Sequence, residues 1–504
     1  MPVDERCMYG DAFDDPAREI GSPRPHGTLG RSVAIAVLAA LLSAAAGSTF
    51  VAMSSTQSWF PKQWDPKIAP IANEVAKLRG LNFEHPVAIH YLSAKDFERQ
   101  FNASDDPTSS GDAAETKREE AVFRALGMIG GKDDLQKAVA TDQTSSVLAY
   151  YDPIQQDIIV RGTTIDVEHR VTIAHELTHV LQDQYFDLPK LQKQAADSNS
   201  GDSNALRALV EGDAVRIQQD YLKQLSTADR QEYDREDQAE SDRVGGATSG
   251  VPYFVDLYFG APYAFGPSTI RVLLESGGND AVNDALTGAT PSTEVFTSTG
   301  DVDPPVPVDP PAASPDATNI APPETFGPFE MYLMLALRID PARALQAANL
   351  VGGGRARSFE SNGITCYRVA VAPNDAASRA PLLSAIQAWA NGRVRTSVDA
   401  NGDFVGFTAC DPGSTAAQPS TPRFHELVAV LSFSAEITVE AAQGHQSGDF
   451  ARCVARVAFQ IPGAEQLVLA VGNNEPTAAQ HDEFLQVGTQ SGAACRDDPS
   501  AGLP

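Results

Sequence analysis

The spacing of hydrophobic and polar residues predicts an alternation of helices and strands along most of the chain. Apolar residues at helical spacing, such as Ile71 and Val75, predict a helix over 68–78, whereas alternating positions predict a strand over 85–92. The same reading gives helices over 166–185, 203–222, 268–274 and 329–348, a hairpin of 147–151 and 157–160, and strands over 364–371, 404–408, 427–439 and 454–459. This mixture predicts an α+β fold.

Polar and proline-rich stretches divide these elements. Residues 102–118 and 225–250 carry many charges and small residues and are predicted to be loops, and the proline-rich stretch 300–324 predicts an extended linker or a long loop. The predicted organisation is a disordered tail (1–31), a membrane anchor (32–53), a catalytic domain (54–299), the proline-rich stretch (300–324) and a C-terminal α+β region (325–504).

The anchor prediction comes from 32–53, a run without charge that would span ~33 Å as a helix. Arg31 precedes the run and no charge follows it until Lys62, which favours a cytoplasmic N-terminus. We therefore expect a single-pass membrane protein with its bulk outside the cytoplasm. Ala44-Ala45-Ala46 offers the alternative of a cleaved signal peptide and a secreted protein, and a buried soluble helix is a third reading.

The amino-acid composition indicates which binding partners and which cellular compartment to expect. The 504 residues are 42% hydrophobic, as in globular proteins, and the formal net charge of −28 repels phosphate backbones, so we expect no nucleic-acid partner. Four of the five cysteines, at positions 366, 410, 453 and 495, lie in the last third of the chain, which favours disulfides over free thiols and an oxidising compartment. Three pairings are open, of which the sequence-neighbour one closes loops of similar length.

The pentapeptide His175-Glu176-Leu177-Thr178-His179 carries the strongest chemical signal. Histidines four residues apart lie on one face of a helix, so both imidazoles can bind one zinc ion at ~2.0–2.1 Å. Glu176 lies close enough to a metal-bound water to accept its proton. The motif predicts a hydrolytic centre with one Zn²⁺ per chain, in which His175 and His179 are ligands and Glu176 is the general base.

A catalytic zinc site needs a third protein ligand and one open position. Glycine at 182 and histidine at 185 would complete the metzincin pattern, but Gln182 and Tyr185 stand there and exclude it. We expect the third ligand to be Glu211, on the next predicted helix. Ala208 and Ala214 beside it are small enough for two helices to approach closely, and a carboxylate on an apolar helix needs a compensating cation.

Three more residues are candidates for supporting roles. Tyr263 lies among turn-forming residues after the second helix and is the candidate oxyanion donor, with a packed aromatic as the alternative. Asp183, one turn beyond His179, and Asp213, near Glu211, are candidates to orient the metal-bound histidines, although such residues are more often solvated.

The segments VTIAHELTHVLQDQYFDL and ALVEGDA resemble the zincin metallopeptidases of the gluzincin type, in which a glutamate is the third ligand. Weaker matches over 75–295 are similar to poorly characterised, membrane-anchored or secreted bacterial zincin-like proteins. The resemblance implies a zincin-like catalytic domain with a mixed sheet packed on the HExxH helix, and a substrate-facing edge strand at 157–160. It also implies His175, His179 and Glu211 as ligands and Glu176 as base.

The sequence departs from the gluzincin pattern at one position. Three functions are compatible with the resemblance. Gluzincins carry an acidic residue four positions after the glutamate ligand, where Val215 stands here. The expected function is a membrane-anchored, extracytoplasmic zinc metallopeptidase that acts on a peptide or protein substrate. The alternatives are a catalytically weak zincin-fold scaffold that binds partners, and a zinc hydrolase of non-peptide amides such as cell-wall cross-links.

Overall fold

The computed structural model describes residues 60–104, 110–198, 201–312, 317–400, 402, 404–443, 446–472 and 476–497. Within these residues the chain is a mixed α+β fold with two disulfides, as predicted. The predicted tail, the predicted membrane anchor at 32–53 and Cys7 lie outside the described residues. No helix in the described part of the chain has both the length and the apolar character needed to cross a membrane.

The described chain is mainly helical. The helices are α1 (Ala69–Arg79), α2 (Ala94–Ser104), α3 (Ser110–Leu126), α4 (Leu135–Ser146), α5 (Val167–Phe186), α6 (Leu188–Asp197), α7 (Ser203–Gln224), α8 (Thr227–Ala247), α9 (Tyr253–Thr287), α10 (Pro328–Ala336), α11 (Pro341–Ala348), α12 (Arg379–Ala390), α13 (Thr421–Ala442), α14 (Gly448–Ala458), α15 (Ala464–Val471) and α16 (Ala478–Asp497). The strands are β1 (Ala88–Leu92), β2 (Ala149–Asp152), β3 (Asp157–Arg161), β4 (Thr318–Asn319), β5 (Glu324–Thr325), β6 (Val351–Ser361), β7 (Ile364–Pro373), β8 (Thr396–Asp399) and β9 (Val405–Cys410).

A three-stranded mixed sheet packs against α5. Its order is β1-β3-β2, with β1 parallel and β2 antiparallel to β3. Ile158 belongs to the core shared with α5, whereas Ile159 packs with Phe97 and Phe101 of α2, so β3 is covered on both faces. The expectation that 157–160 forms an edge is therefore wrong, because β3 is paired on both sides. The edge strand that contacts α5 is β2.

The two helices predicted to carry the chemistry are present and capped as the sequence suggests. Asp166 caps α5 by accepting a hydrogen bond from the amide of His169, and Asp202 caps α7 by accepting one from the amide of Asn204. Both observed helices match their predicted ranges to within two residues. Their buried residues pack α5 against α7, and α7 also packs against α9.

Helix α8 overturns the prediction of a loop over 225–250. Its buried residue is Val244, so it has no apolar stripe to signal a helix. Charge pairs stabilise it instead: Arg243 pairs with Glu240 one turn earlier, and Arg161 of β3 pairs with Glu240 from the sheet. The prediction of a loop over 102–118 is also wrong, because the end of α2 and the start of α3 occupy its described residues.

The second sheet has the strand order β4-β6-β7-β9-β8, with β5 also paired to β6. Asn362 and Gly363 have φ values of 53° and 73° and form the tight turn between β6 and β7. An Asn-Gly pair suits this turn because both of its central residues need positive φ. The strands predicted over 364–371 and 404–408 are confirmed as β7 and β9.

Both disulfides connect sequence neighbours, which resolves the pairing that the sequence left open. Cys366 and Cys410 face each other in register on β7 and β9, and their sulfurs form one bridge. Cys453 of α14 and Cys495 of α16 form the other. In the C-terminal region, one disulfide therefore cross-links two strands of the sheet and the other cross-links two helices.

Two predicted strands in the C-terminal region are helices. Residues 427–439 lie in α13 and residues 454–459 lie largely in α14. Short apolar runs do not distinguish a buried strand from a buried helix, and here both faces of α13 carry apolar residues. The single helix predicted over 329–348 is two helices, because α11 starts afresh at Pro341 after its cap, Asp340.

The largest hydrophobic cluster draws on both sides of the proline-rich stretch. Phe254 and Phe296, which precede it, share this cluster with Trp389 and Phe407, which follow it. Described parts of the stretch lie along β6, where the amide of Val306 donates to the carbonyl oxygen of Gly352 and β4 and β5 pair with the strand. The domain boundary at 300–324 stays a prediction.

Candidate metal centre

Three buried side chains from two helices bring their donor atoms together. Nε2 of His175 and Nε2 of His179 lie 3.1 Å apart, and each lies 3.3 Å from Oε2 of Glu211. Metal–ligand bonds of ~2.0–2.1 Å at tetrahedral angles place donors about 3.3 Å apart, so these spacings fit a single ion. The group of His175, His179 and Glu211 could therefore hold a metal ion.

Two glutamines fix which nitrogen of each imidazole faces this centre. The side-chain nitrogen of Gln182 donates to the carbonyl oxygen of Val210, so its Oε1 is the acceptor that lies 2.8 Å from His179 Nδ1. Oε1 of Gln218 lies 3.0 Å from His175 Nδ1 in the same way. With Nδ1–H donating to an amide oxygen, each Nε2 presents a lone pair, as a metal ligand requires.

When both imidazoles are neutral, this arrangement places three electron-rich atoms against one another. Glu211 Oε2 has no hydrogen-bond partner among the described residues, and it is 1% exposed as a residue. Burial acts to raise the pKa of Glu211, but the neighbouring charge of His179 and the contacts with both imidazoles lower it to about 2. The ionised carboxylate needs a positive charge beside it, which a proton on His179, whose pKa Glu211 raises to about 9 against the opposing effect of burial, or a bound metal ion can supply.

Gln182 is itself held by a buried ion network. Gln182 also lies 3.1 Å from the carboxylate of Asp213, which receives a 2.6 Å contact from Arg79 Nε and a 2.7 Å contact from Arg216. Both Arg79 and Asp213 are fully buried. Asp213 therefore does not touch a histidine, contrary to one option from the sequence; it orients His179 only through Gln182.

Asp183 does not orient a histidine either. It accepts a 2.7 Å hydrogen bond from the hydroxyl of Tyr151 and another from the amide of Leu188. Its effect is to attach β2 to α5, because Tyr151 lies in that strand. Asp183 therefore holds this strand and forms no hydrogen bond with His175 or His179 among the described residues.

Glu176 lies on the same helix with one oxygen bound and one free. Its Oε2 accepts a 2.8 Å hydrogen bond from the backbone amide of Tyr151, whereas Oε1 has no partner among the described residues. Burial raises the pKa of this carboxyl group to about 8, although the charge of His179 opposes the shift. A carboxyl group with a pKa near neutrality can accept and return a proton.

Tyr263 lies on α9 rather than in a turn, so the expected local structure is wrong, although the residue lies at the site. Its ring stacks near that of His175, with the centroids 6.4 Å apart. Burial raises the pKa of its hydroxyl well above 10, with the charge of Glu211 adding to the shift and that of Arg207 opposing it. The hydroxyl forms no hydrogen bond among the described residues. Its role as an oxyanion donor stays a prediction.

The close approach that positions Glu211 depends on glycines. A Cβ atom added at Gly212 would lie 2.4 Å from the backbone of Gly266 in α9, and one added at Gly266 would lie 2.3 Å from the carbonyl oxygen of Ala208. Real Cβ contacts are never this short, so α7 and α9 touch backbone to backbone at this crossing. The sequence indicated small residues beside Glu211, but not that α9 was the partner.

Sequence reasoning missed Gln182, Gln218, Tyr151 and Arg207 as parts of the site. Helical spacing could have found the glutamines, because Gln182 lies one turn after His179 and Gln218 two turns after Glu211. Tyr151 gave no such signal, because its backbone amide makes the contact.

A separate cavity of about 320 Å³ lies in the C-terminal half. It is lined by Arg343, Arg452 and Arg456 together with apolar residues such as Leu350 and Phe459. None of the three metal-donor residues lines it, so it is not part of the candidate metal centre. Comparison of the chain with protein-family models, curated proteins and solved structures gave no match.

Proposed function

We propose that the protein is a zinc-dependent hydrolase of peptide bonds. The observation that carries the proposal is the convergence of His175 Nε2, His179 Nε2 and Glu211 Oε2 within 3.3 Å, with Glu176 beside them on α5. A structural ion needs only its ligands. The buried, half-unpartnered carboxyl group of Glu176 is the additional feature that supports catalysis.

Zinc is the metal that this donor set suits best. Two imidazoles and one carboxylate form a three-ligand site of the kind found in catalytic zinc proteins, which keep a fourth position open. Hard cations such as Mg²⁺ and Ca²⁺ favour six or more oxygen donors, which this pair of helices does not offer. The same set supports the resemblance to gluzincins.

The proposed chemistry assigns one role to each residue. When bound, zinc polarises the scissile carbonyl group and lowers the pKa of water. Glu176 Oε1 takes a proton from the attacking water, whose oxygen bonds to the carbonyl carbon. As the C–N bond breaks, Glu176 returns the proton to the departing nitrogen, which gives a carboxylic acid and an amine. Tyr263 is proposed to donate its O–H to the carbonyl oxygen during this step.

An extended substrate would lie along β2. The backbone amide of Tyr151 donates to Glu176 rather than to β3. The edge of β2 that is not paired with β3 is therefore the edge nearest to Glu176. A peptide that adds to this edge would run past the three donor residues. This assignment replaces the edge strand expected at 157–160.

Burial is the observation that favours a second candidate, a metal-stabilised scaffold that binds partners. His175 and Glu176 are fully buried, and His179 is 4% exposed, so a substrate must displace part of the covering structure. Hydrolysis of non-peptide amides, such as cell-wall cross-links, would use the same residues and is the third candidate.

The proposed location is outside the cytoplasm, with residues 32–53 as the membrane anchor and with no nucleic-acid partner. Two disulfides support an oxidising compartment. Fractionation of cells that express the full chain is expected to place it in the membrane. Recovery from the soluble extracellular fraction would instead support cleavage of a signal peptide.

The function is tested with the full chain and two glutamate variants on the same helix. Elemental analysis should find one zinc per chain in the wild type and in Glu176→Gln, and digestion of a peptide library should be lost in Glu176→Gln alone. Glu168→Gln, which alters another buried glutamate of α5, is the matched control and should keep turnover. An equal rate in Glu176→Gln and the wild type would refute the catalytic role. Zinc binding without turnover of any peptide would favour the scaffold.

A further inference from the structure

Arg207 is a buried cation without a matching anion. Its side chain is 6% exposed, and its Nε and Nη2 atoms have no hydrogen-bond partner among the described residues. Burying an unpaired guanidinium group is unfavourable for folding, because the charge loses its hydration without gaining a partner. A fold keeps such a cost where a ligand later supplies the missing charge.

Other buried arginines near the centre are paired. Arg79 contacts the carboxylate of Asp213 at 2.6 Å, and Arg216 contacts the same carboxylate at 2.7 Å. Arg207 has no ion pair within 4.0 Å in the described chain, although it lies on the same helix as Asp213 and Arg216. Arg79 and Arg216 thus each have a carboxylate partner, which Arg207 lacks among the described residues.

The position of Arg207 relates it to the candidate metal centre. It lies one turn before Glu211 on α7, and residues at this spacing share a helix face, with Cβ atoms about 5–6 Å apart. The hydroxyl of Tyr263 lies near both side chains, since the charges of Glu211 and Arg207 shift its pKa in opposite directions. Glu211 itself is engaged with His175 and His179, so it does not neutralise Arg207.

We propose that Arg207 binds a carboxylate of the substrate beside the scissile bond, so that the preferred substrates are peptides with a negative charge at that point. This inference rests on the proposed function, because it places the substrate at the same centre. A guanidinium group offers a planar fork of donors that matches the two oxygens of a carboxylate. The carboxylate can come from a free C-terminus or from an aspartate or glutamate side chain.

Binding to the full-length, zinc-loaded protein tests the proposal without turnover. The probe is a short peptide with an N-terminal thiol that binds the metal, prepared as the C-terminal acid and as the amide, each with Asp or Asn as its first residue. Calorimetry should show that a charged form binds wild type at least about tenfold more tightly than its neutral counterpart. The position at which charge is preferred identifies the source of the carboxylate.

Arg207→Gln should remove this preference, Arg207→Lys should retain part of it, and Arg271→Gln, which alters an exposed arginine on α9, should leave it unchanged. Because Arg207 lacks a partner, Arg207→Gln should not lower the melting temperature. Equal binding of charged and neutral probes by wild type, or a preference that persists in Arg207→Gln, would overturn the proposal. If the protein shows no turnover but its preference for charged probes depends on Arg207, the binding proposal stands and only the proposed hydrolytic function is refuted.

Discussion

The side-chain oxygen of Gln182 accepts a hydrogen bond of 2.8 Å from Nδ1 of His179. The other end of the same amide contacts Asp213, which is held by Arg79 from α1. A single uncharged side chain therefore transmits the orientation set by a buried ion pair to His179, a candidate metal ligand. Because both helices supply donor residues, this amide also keeps α5 in register with α7.

Replacement of Gln182 should weaken metal binding without removing a ligand. In Gln182→Met the side chain keeps its volume, but Nδ1 of His179 loses its acceptor, and the imidazole is free to rotate or change tautomer. We expect the zinc affinity to fall about 10- to 100-fold, as measured by competition with a chelator. Gln184→Met alters a glutamine that binds His85 and Glu84 instead, and it should leave the affinity unchanged. Equal affinities in the two variants would contradict this role.

Metal removal should lower the melting temperature of wild type but not that of a variant without the third ligand. A ligand that binds only the folded state stabilises it by about 4 kcal/mol at 1,000 times its dissociation constant. Addition of a chelator should therefore shift the transition of wild type and have little effect on Glu211→Ala. Glu84→Ala, which alters an exposed glutamate, should respond like wild type. A chelator shift of full size in Glu211→Ala would show that the third ligand lies elsewhere.

The backbone contact between α7 and α9 predicts a large effect from a small substitution. Gly212→Ala would place a methyl group 2.4 Å from Gly266, so the helices must separate, which costs about 1–3 kcal/mol or more. Urea denaturation should show this loss, and zinc affinity should fall as well because Glu211 moves with α7. Gly260→Ala is the control in α9, since nothing lies within 4 Å of its added Cβ. It should be neutral or stabilising by up to about 1 kcal/mol.

Glu168 predicts a pH dependence of stability. Burial, with help from the charge of Glu240, raises the pKa of its carboxyl group from 4.5 to about 7. The folded state therefore binds more protons than the unfolded state between these values, so this group costs stability as the pH rises from about 4.5 through 7. Glu168→Gln should raise the melting temperature more at pH 8 than at pH 5, whereas Glu84→Gln, on the surface, should not. An equal gain at both pH values would contradict the assignment.

The sequence could predict the site residues that share one helix, but not those that are brought to the site only by tertiary contacts. His175, Glu176 and His179 share a helix, so their spacing alone indicates where they meet. Glu211 required only that the next helix be adjacent. Charge-stabilised α8 and the apolar run of α13 carry no periodic signal that separates helix from loop or strand, so their predictions failed. The sequence could not indicate the contact of Tyr151, because a backbone amide is present at every residue except proline.

The hydrophobic cluster that contains Phe254 and Trp389 affects how the protein unfolds. Helix α9 supplies Phe254 to that cluster and Tyr263 to the metal centre, so the two sides of the chain should melt in one cooperative transition. Cutting the chain near residue 300 would strip α9 of its apolar cover. An isolated N-terminal fragment should then lose the candidate metal site together with its fold.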